Sequence, residues 1–127
     1  MKHIKQILSP IIRKLWKMIY IRNHVKYARK IGVKVGIGTH FVDCPSFSSE
    51  PWLISIGEST NISSGVSFIT HDGGRWVLDH LYPQDAPFYK IGPISVGSNC
   101  FIGMGTMILP NVCIGDNCVV GGGEYCN

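Results

Sequence analysis

The first thirty residues contain no aspartate or glutamate, yet nine of the chain's twelve lysines and arginines fall there; the remainder carries three cations against eight acids. That split excludes an evenly basic nucleic-acid binder, and no nucleic-acid motif is present. The basic end reads as a local device for a membrane surface or a polyanionic partner. Long uninterrupted apolar runs are also missing. Lys and Arg break up the N-terminal apolar residues, which excludes a signal core or a spanning helix in that stretch. The cysteines number five (44, 100, 113, 118 and 126); this odd count in a chain with no secretory signal points to reduced thiols in the cytoplasm. Neither a phosphate loop nor a Ser-His-Asp or Cys-His nucleophile spacing is found. None of the five histidines lies beyond residue 80, so a zinc centre of three converging histidines is not expected and no metal is assigned.

What is present is a period of six. From Val96 the chain reads VGSNCF, IGMGTM, ILPNVC, IGDNCV, VGGG, and each hexad opens on Val or Ile: Val96, Ile102, Ile108, Ile114 and Val120. Gly fills the second place in four of the five, with Leu109 the exception, and the fifth places (Cys100, Thr106, Val112, Cys118) are small or β-branched. Six matches neither a helix nor a plain strand; it is the period of a parallel β-solenoid whose hexads each supply one short strand and one corner. Three hexads close a triangular coil. Residues 18 apart then stack, Val96 under Ile114, Ile102 under Val120 and Cys100 under Cys118, the last pair as small core fillers.

These residues resemble the hexapeptide-repeat acyltransferases, and among them the sugar and capsular-polysaccharide O-acetyltransferases. The resemblance covers about residues 31–123, with ILPNVCIGDNCVVG as its most specific run. It implies a left-handed parallel β-helix, acetyl-CoA as acyl donor, a homotrimer, and transfer of acetyl to a sugar hydroxyl of a polysaccharide precursor in surface-polysaccharide assembly.

Ahead of the solenoid, residues 1–30 form a basic segment in which Ile4, Ile7, Leu8, Ile11, Ile12, Leu15, Met18 and Ile19 follow helical spacing. Ser9-Pro10 is a start or kink signal, and Trp16 and Tyr20 suit a bilayer interface. This stripe either caps the solenoid or makes a peripheral contact with the inner face of the membrane. A second short helix is expected from Asn23 to Lys30. The β-helix is assigned to residues 31–127. Within it, Cys44–Pro51 reads as an irregular loop, and about 71–89 as a loop thrown out of the coil after the Asp72-Gly73-Gly74 turn signal. Loops of this length in a repeat are often functional.

His71, in Phe-Ile-Thr-His-Asp-Gly-Gly, stands where the regular rung gives way to this excursion. The resemblance makes it the general base that takes the acceptor's proton during direct attack on the thioester, a task suited to imidazole near neutral pH. Asp72 either orients that ring or serves the turn. Gly103, Met104 and Gly105 match the family stretch that lends an oxyanion donor from the neighbouring subunit and lets the cofactor approach, with Gly121 one rung above. Trp76 and Tyr82 are candidate sugar-stacking faces, and Asn61 a weaker candidate for holding the acceptor. Relatives continue beyond the point where Glu-Tyr-Cys-Asn ends this chain, and Glu124 falls where a small inward residue is wanted. The reading here is therefore a C-terminally truncated copy, with two alternatives: a non-catalytic solenoid remnant, or an acetyltransferase of a small metabolite or antibiotic.

Overall fold

The computed structural model describes residues 10–84 and 90–127. Two helices lead, α1 (Pro10–Ile19) and α2 (His24–Ile31). The stripe residues Ile4, Ile7 and Leu8 lie outside the described residues. Asn23 caps α2, its side chain accepting from Lys26 N at 2.9 Å, and Gly32 ends it in the left-handed conformation.

Three two- or three-residue strands per turn then build a left-handed β-helix. β1 (Lys34–Val35), β4 (Ile54–Ile56), β7 (Ile94–Val96) and β10 (Cys113–Ile114) stack as one parallel sheet. The second holds β2 (His40–Phe41), β5 (Asn61–Ile62), β8 (Phe101–Ile102) and β11 (Val119–Val120). The third holds β3 (Ser46–Phe47), β6 (Ser67–Phe68), β9 (Met107–Ile108) and β12 (Tyr125–Cys126). Register confirms the stacking of Val96 on Ile114 and Ile102 on Val120. The offset between rungs is 21 residues for the first coil (Lys34 opposite Ser55), 40 for the second (Ile54 opposite Ile94) and 18 for the third (Ser95 opposite Cys113).

The core is the inward column of each sheet, with Ile54, Ile56, Ile62, Phe68, Ile94, Val96, Ile102 and Ile108 all buried. The fifth-place residues do more than fill space. Thr39 Oγ1 donates to Gly57 O at 2.6 Å, Thr60 Oγ1 to Gly97 O at 2.8 Å and Cys100 Sγ to Gly115 O at 3.0 Å. Each side chain thus ties its own corner to the carbonyl of the next, which satisfies buried polar atoms that the short strands leave over. Cys100 and Cys118 are both free thiols.

The structure revises four expectations. Cys44–Pro51 is not merely a loop, because β3 lies within it and pairs with β6; Phe47 stacks on Phe68 with centroids 5.6 Å apart, and this burial outweighs the prolines on either side. The excursion contains a third helix, α3 (Arg75–Leu81), held by an Arg75–Asp79 pair one turn apart. Trp16 and Tyr20 pack against the hydrophobic core, so they are not free for a bilayer. Glu124 avoids the cost of burial: its carbonyl accepts from Met107 N at 2.9 Å and extends the ladder, while the residue is exposed on the outermost rung.

Candidate active site

His71 stands at the corner where the third sheet hands over to the first. Two backbone hydrogen bonds close the neck of the excursion there, Asp72 N to Lys90 O at 3.2 Å and Gly92 N to Thr70 O at 2.9 Å, and His71 bridges Ile91. A residue at the mouth of a loop is in this way held by a β-type ladder.

The 21-residue offset of the first coil sets Glu50 one rung below His71. Glu50 Oε2 lies 2.9 Å from His71 Nδ1 and accepts the Thr70 hydroxyl at 2.6 Å. Ser48 ties the same rungs together, its hydroxyl donating to Phe68 O at 2.9 Å and accepting from Thr70 N at 3.1 Å. Partial burial pushes the Glu50 carboxyl up, but the hydrogen bonds from Thr70 and His71 and the attraction of the ring together hold it below the ordinary glutamate value. An ionised carboxylate only accepts, so in the neutral form of the ring the proton lies on His71 Nδ1 and Nε2 keeps a free lone pair. This is the arrangement of a general base and its orienting carboxylate. The His71 side chain is 47% exposed and that of Glu50 19%, so the imidazole meets solvent while the carboxylate is shielded.

Asp72, the other candidate for orienting the ring, is occupied elsewhere. Its Oδ1 accepts from Gly74 N at 2.6 Å in the turn that starts α3, and its Oδ2 lies 4.0 Å from Lys90 Nζ. Sequence reasoning misses Glu50 because its stretch has the composition of a loop; the signal that could find it is the rung offset, which sets position 50 against position 71.

An open cleft of about 520 Å³ is lined by Glu50, His71, Asp72, Arg75, Trp76 and Lys90 among others. Trp76 is exposed there and packs on His80, ring centroids 4.9 Å apart. Tyr82 follows α3 as an exposed residue outside this lining. Asn61 lies in β5, in the second sheet, between His40 and Phe101, and its buried Oδ1 has no hydrogen-bond partner among the described residues.

Gly103, Met104 and Gly105 form a different corner, between the second and third sheets. Gly103 N donates to Val120 O and Gly105 N to Ser64 O, both at 2.9 Å. Among the described residues the Met104 N–H has no partner, and its side chain is exposed. A Cβ on Gly103 would come within 2.5 Å of Gly122 N, so close stacking of the corners requires glycine there. Gly121, one rung up, is exposed, and its carbonyl accepts the Thr106 hydroxyl at 3.2 Å.

Residues 93–123 match the family described as bacterial transferase hexapeptide (six repeats). Those residues thus carry a hexapeptide repeat of the kind that description names. "Protein CapG" of Staphylococcus aureus is 50% identical over 86 residues, which is 66% of this chain and 48% of that protein. A protein of S. aureus strain MRSA252 with the provisional name acetyltransferase SAR2635 is 30% identical over 101 residues, covering 65% of this chain and 50% of the relative. This hexapeptide-repeat chain thus spans about half the length of the curated relatives it matches. A solved structure of a serine acetyltransferase in complex with CoA superposes with a TM-score of 0.51 at 17% identity, over 89% of this chain and 44% of that one. That likeness concerns the fold.

Proposed function

We propose that this chain is the hexapeptide-repeat part of an acetyl-CoA-dependent O-acetyltransferase acting on a sugar hydroxyl of a surface-polysaccharide precursor. The observation that carries the reading is the His71–Glu50 pair at the mouth of the cleft. His71 Nε2 takes the proton of the acceptor hydroxyl as that oxygen attacks the thioester carbonyl, and the departing thiolate of coenzyme A takes the proton back. Glu50 holds the ring in the required tautomer and stabilises the imidazolium formed midway. The charge that develops on the carbonyl oxygen needs a fixed donor, and the unpartnered Met104 N–H supplies one.

His71 and Met104 sit on different corners of one solenoid. A site that uses both therefore lies between two copies, as a closed threefold ring permits. A homotrimer is accordingly part of the proposal. The sugar acceptor rests on the resemblance around His71 and on the exposed face of Trp76 beside it. The relatives named as acetyltransferases support acyl transfer, and the CoA complex of the superposed serine acetyltransferase supports the donor.

The test is release of free coenzyme A thiol from acetyl-CoA in the presence of a panel of sugar acceptors. Acceptor-dependent release by the intact chain, lost in His71→Ala, is the expected result. Release at background level by the intact chain favours the non-catalytic solenoid, and equal release by the variant overturns the role of His71.

A further inference from the structure

The helix α1 has two separate faces. Trp16 and Tyr20 pack against the hydrophobic core, Lys30 sits over the Trp16 ring at 5.0 Å, and an Arg13 guanidinium N–H donates to Ser48 O at 3.2 Å. The aliphatic stripe does not share in this docking. Ile11 is 79% exposed, Leu15 55%, Met18 66% and Ile19 63%, and no residue of α1 is buried. At 100° per residue these four fall within one sector, turned well away from the sector of Trp16 and Tyr20. The stripe is therefore more apolar surface than a cap needs, and it faces outward.

Its flank is cationic. Lys14 and Lys17 flank the stripe, and with Met18, Ile21 and His24 they line a depression; Arg22 and Lys26 line a second one that shares His24. Among the described residues none of these four cations forms an ion pair. Among the described residues Asp43 is the single acid lining either depression. No described helix is long and apolar enough to cross a membrane.

We infer that α1 lies in the headgroup region of an anionic bilayer, with Ile11, Leu15, Met18 and Ile19 entering the lipid and Lys14, Lys17, Arg22 and Lys26 meeting anionic headgroups. A short helix with an aliphatic face, a lysine-rich flank and no acid is built for that environment. The charge selects a bilayer over a second copy of the chain, since two such faces in contact would set their cations against each other. The contact also bears on the cleft. Arg13 grips Ser48, two residues before Glu50, so a docked α1 holds the corner that carries the His71–Glu50 pair close to the surface. Acceptors carried on the membrane would then be favoured over acceptors in free solution. The docking itself does not depend on the proposed acetyl transfer.

Sedimentation of the full chain with phosphatidylglycerol/phosphatidylcholine vesicles and with phosphatidylcholine vesicles tests the inference. Binding is expected to the anionic vesicles and to weaken as salt is raised. Leu15→Glu/Met18→Glu should lower the bound fraction by ~10-fold or more, while the melting transition and the particle mass in solution stay as they were. Lys14→Glu/Lys17→Glu should lower binding to the anionic vesicles alone. Absence of binding by the wild-type chain overturns the inference, as does full binding by the Leu15→Glu/Met18→Glu variant. A fall in particle mass in that variant also overturns it, because a second copy of the chain would then be what covers the stripe.

Discussion

Residues 93–123 and residues 46–92 are wound into the same triangular coil, and they divide its tasks. In the first stretch rungs repeat every 18 residues, each hexad opens on Val or Ile, and the excess polar groups are taken up by Thr and Cys side chains bonded to carbonyls of neighbouring corners. In the second the offsets are 21 and 40, and the surplus chain is released at a single corner. His71, Glu50, Trp76 and the cleft are all there. A solenoid derives its rigidity from its period, since each rung is held only by its neighbours. The candidate base and its carboxylate stand where the period is interrupted, because there a polar side chain can leave the stack and still stand on it, whereas the regular stretch offers the site only a backbone N–H, that of Met104.

If this division is right, substitutions in the two stretches should have opposite signatures. His71→Ala should lower turnover by ~10²–10⁴-fold, the span for loss of general-base help, with no change in melting temperature; coupled thiol-release kinetics and thermal unfolding measure the two sides. Ile62→Ala, in the fully buried column of the second sheet, should do the reverse. It should cost about 2–5 kcal/mol in urea unfolding and leave the activity per folded molecule as it was.

Glu50→Gln sharpens the comparison, because Glu50 belongs to both rung and site. The side-chain amide can still accept from His71 but lacks the charge, and a fall in turnover of about 10–100-fold is expected, the range for a partner that orients an active group. The same variant has a signature in pH. The folded-state pKa of Glu50 is held below its unfolded value, so its contribution to stability is present above the unfolded value and is lost as pH falls through the folded one. The stability gap between wild type and Glu50→Gln should therefore narrow on acidification through and below the ordinary carboxylate range. A gap that widens as pH falls through that carboxylate range would mean that the carboxyl is held protonated. The smallest effect should come from Asp72→Asn. The amide keeps the acceptor for Gly74 N, so changes should stay within about 0.5 kcal/mol, roughly twofold in rate.

The regular stretch is legible residue by residue because one rule, an aliphatic residue every six, governs it without exception. The helix at 24–31 is legible for a similar reason, having a cap residue at Asn23 and a left-handed stop at Gly32. The sector that α1 turns to the solenoid is not. Helical spacing identifies an apolar stripe but not which side meets the coil, and here two aromatics on a different sector from Ile11, Leu15, Met18 and Ile19 take that role. β3 is hidden by Pro45 and Pro51, since a two-residue strand has too few letters to outweigh two breakers. His71 can be singled out because its context is local. Glu50 is its neighbour only through a coil that is three residues longer than the regular one, and that count requires knowing that Ser46–Phe47 is a rung.

If Glu50 fixes the ring of His71 with its proton on Nδ1, the ring nitrogens report it directly. In a chain with ¹⁵N-labelled histidine, and with His71 assigned by comparison with His71→Ala, two-dimensional spectra distinguish the tautomers once titration of the same signals has located the neutral form. The expected result is that the neutral ring is protonated at Nδ1, with Nε2 as the unprotonated acceptor, and that Glu50→Gln shifts it towards the opposite tautomer. A neutral His71 protonated at Nε2 in the wild-type chain would contradict it, because that nitrogen, the one not turned to Glu50, would have no free lone pair for the acceptor's proton.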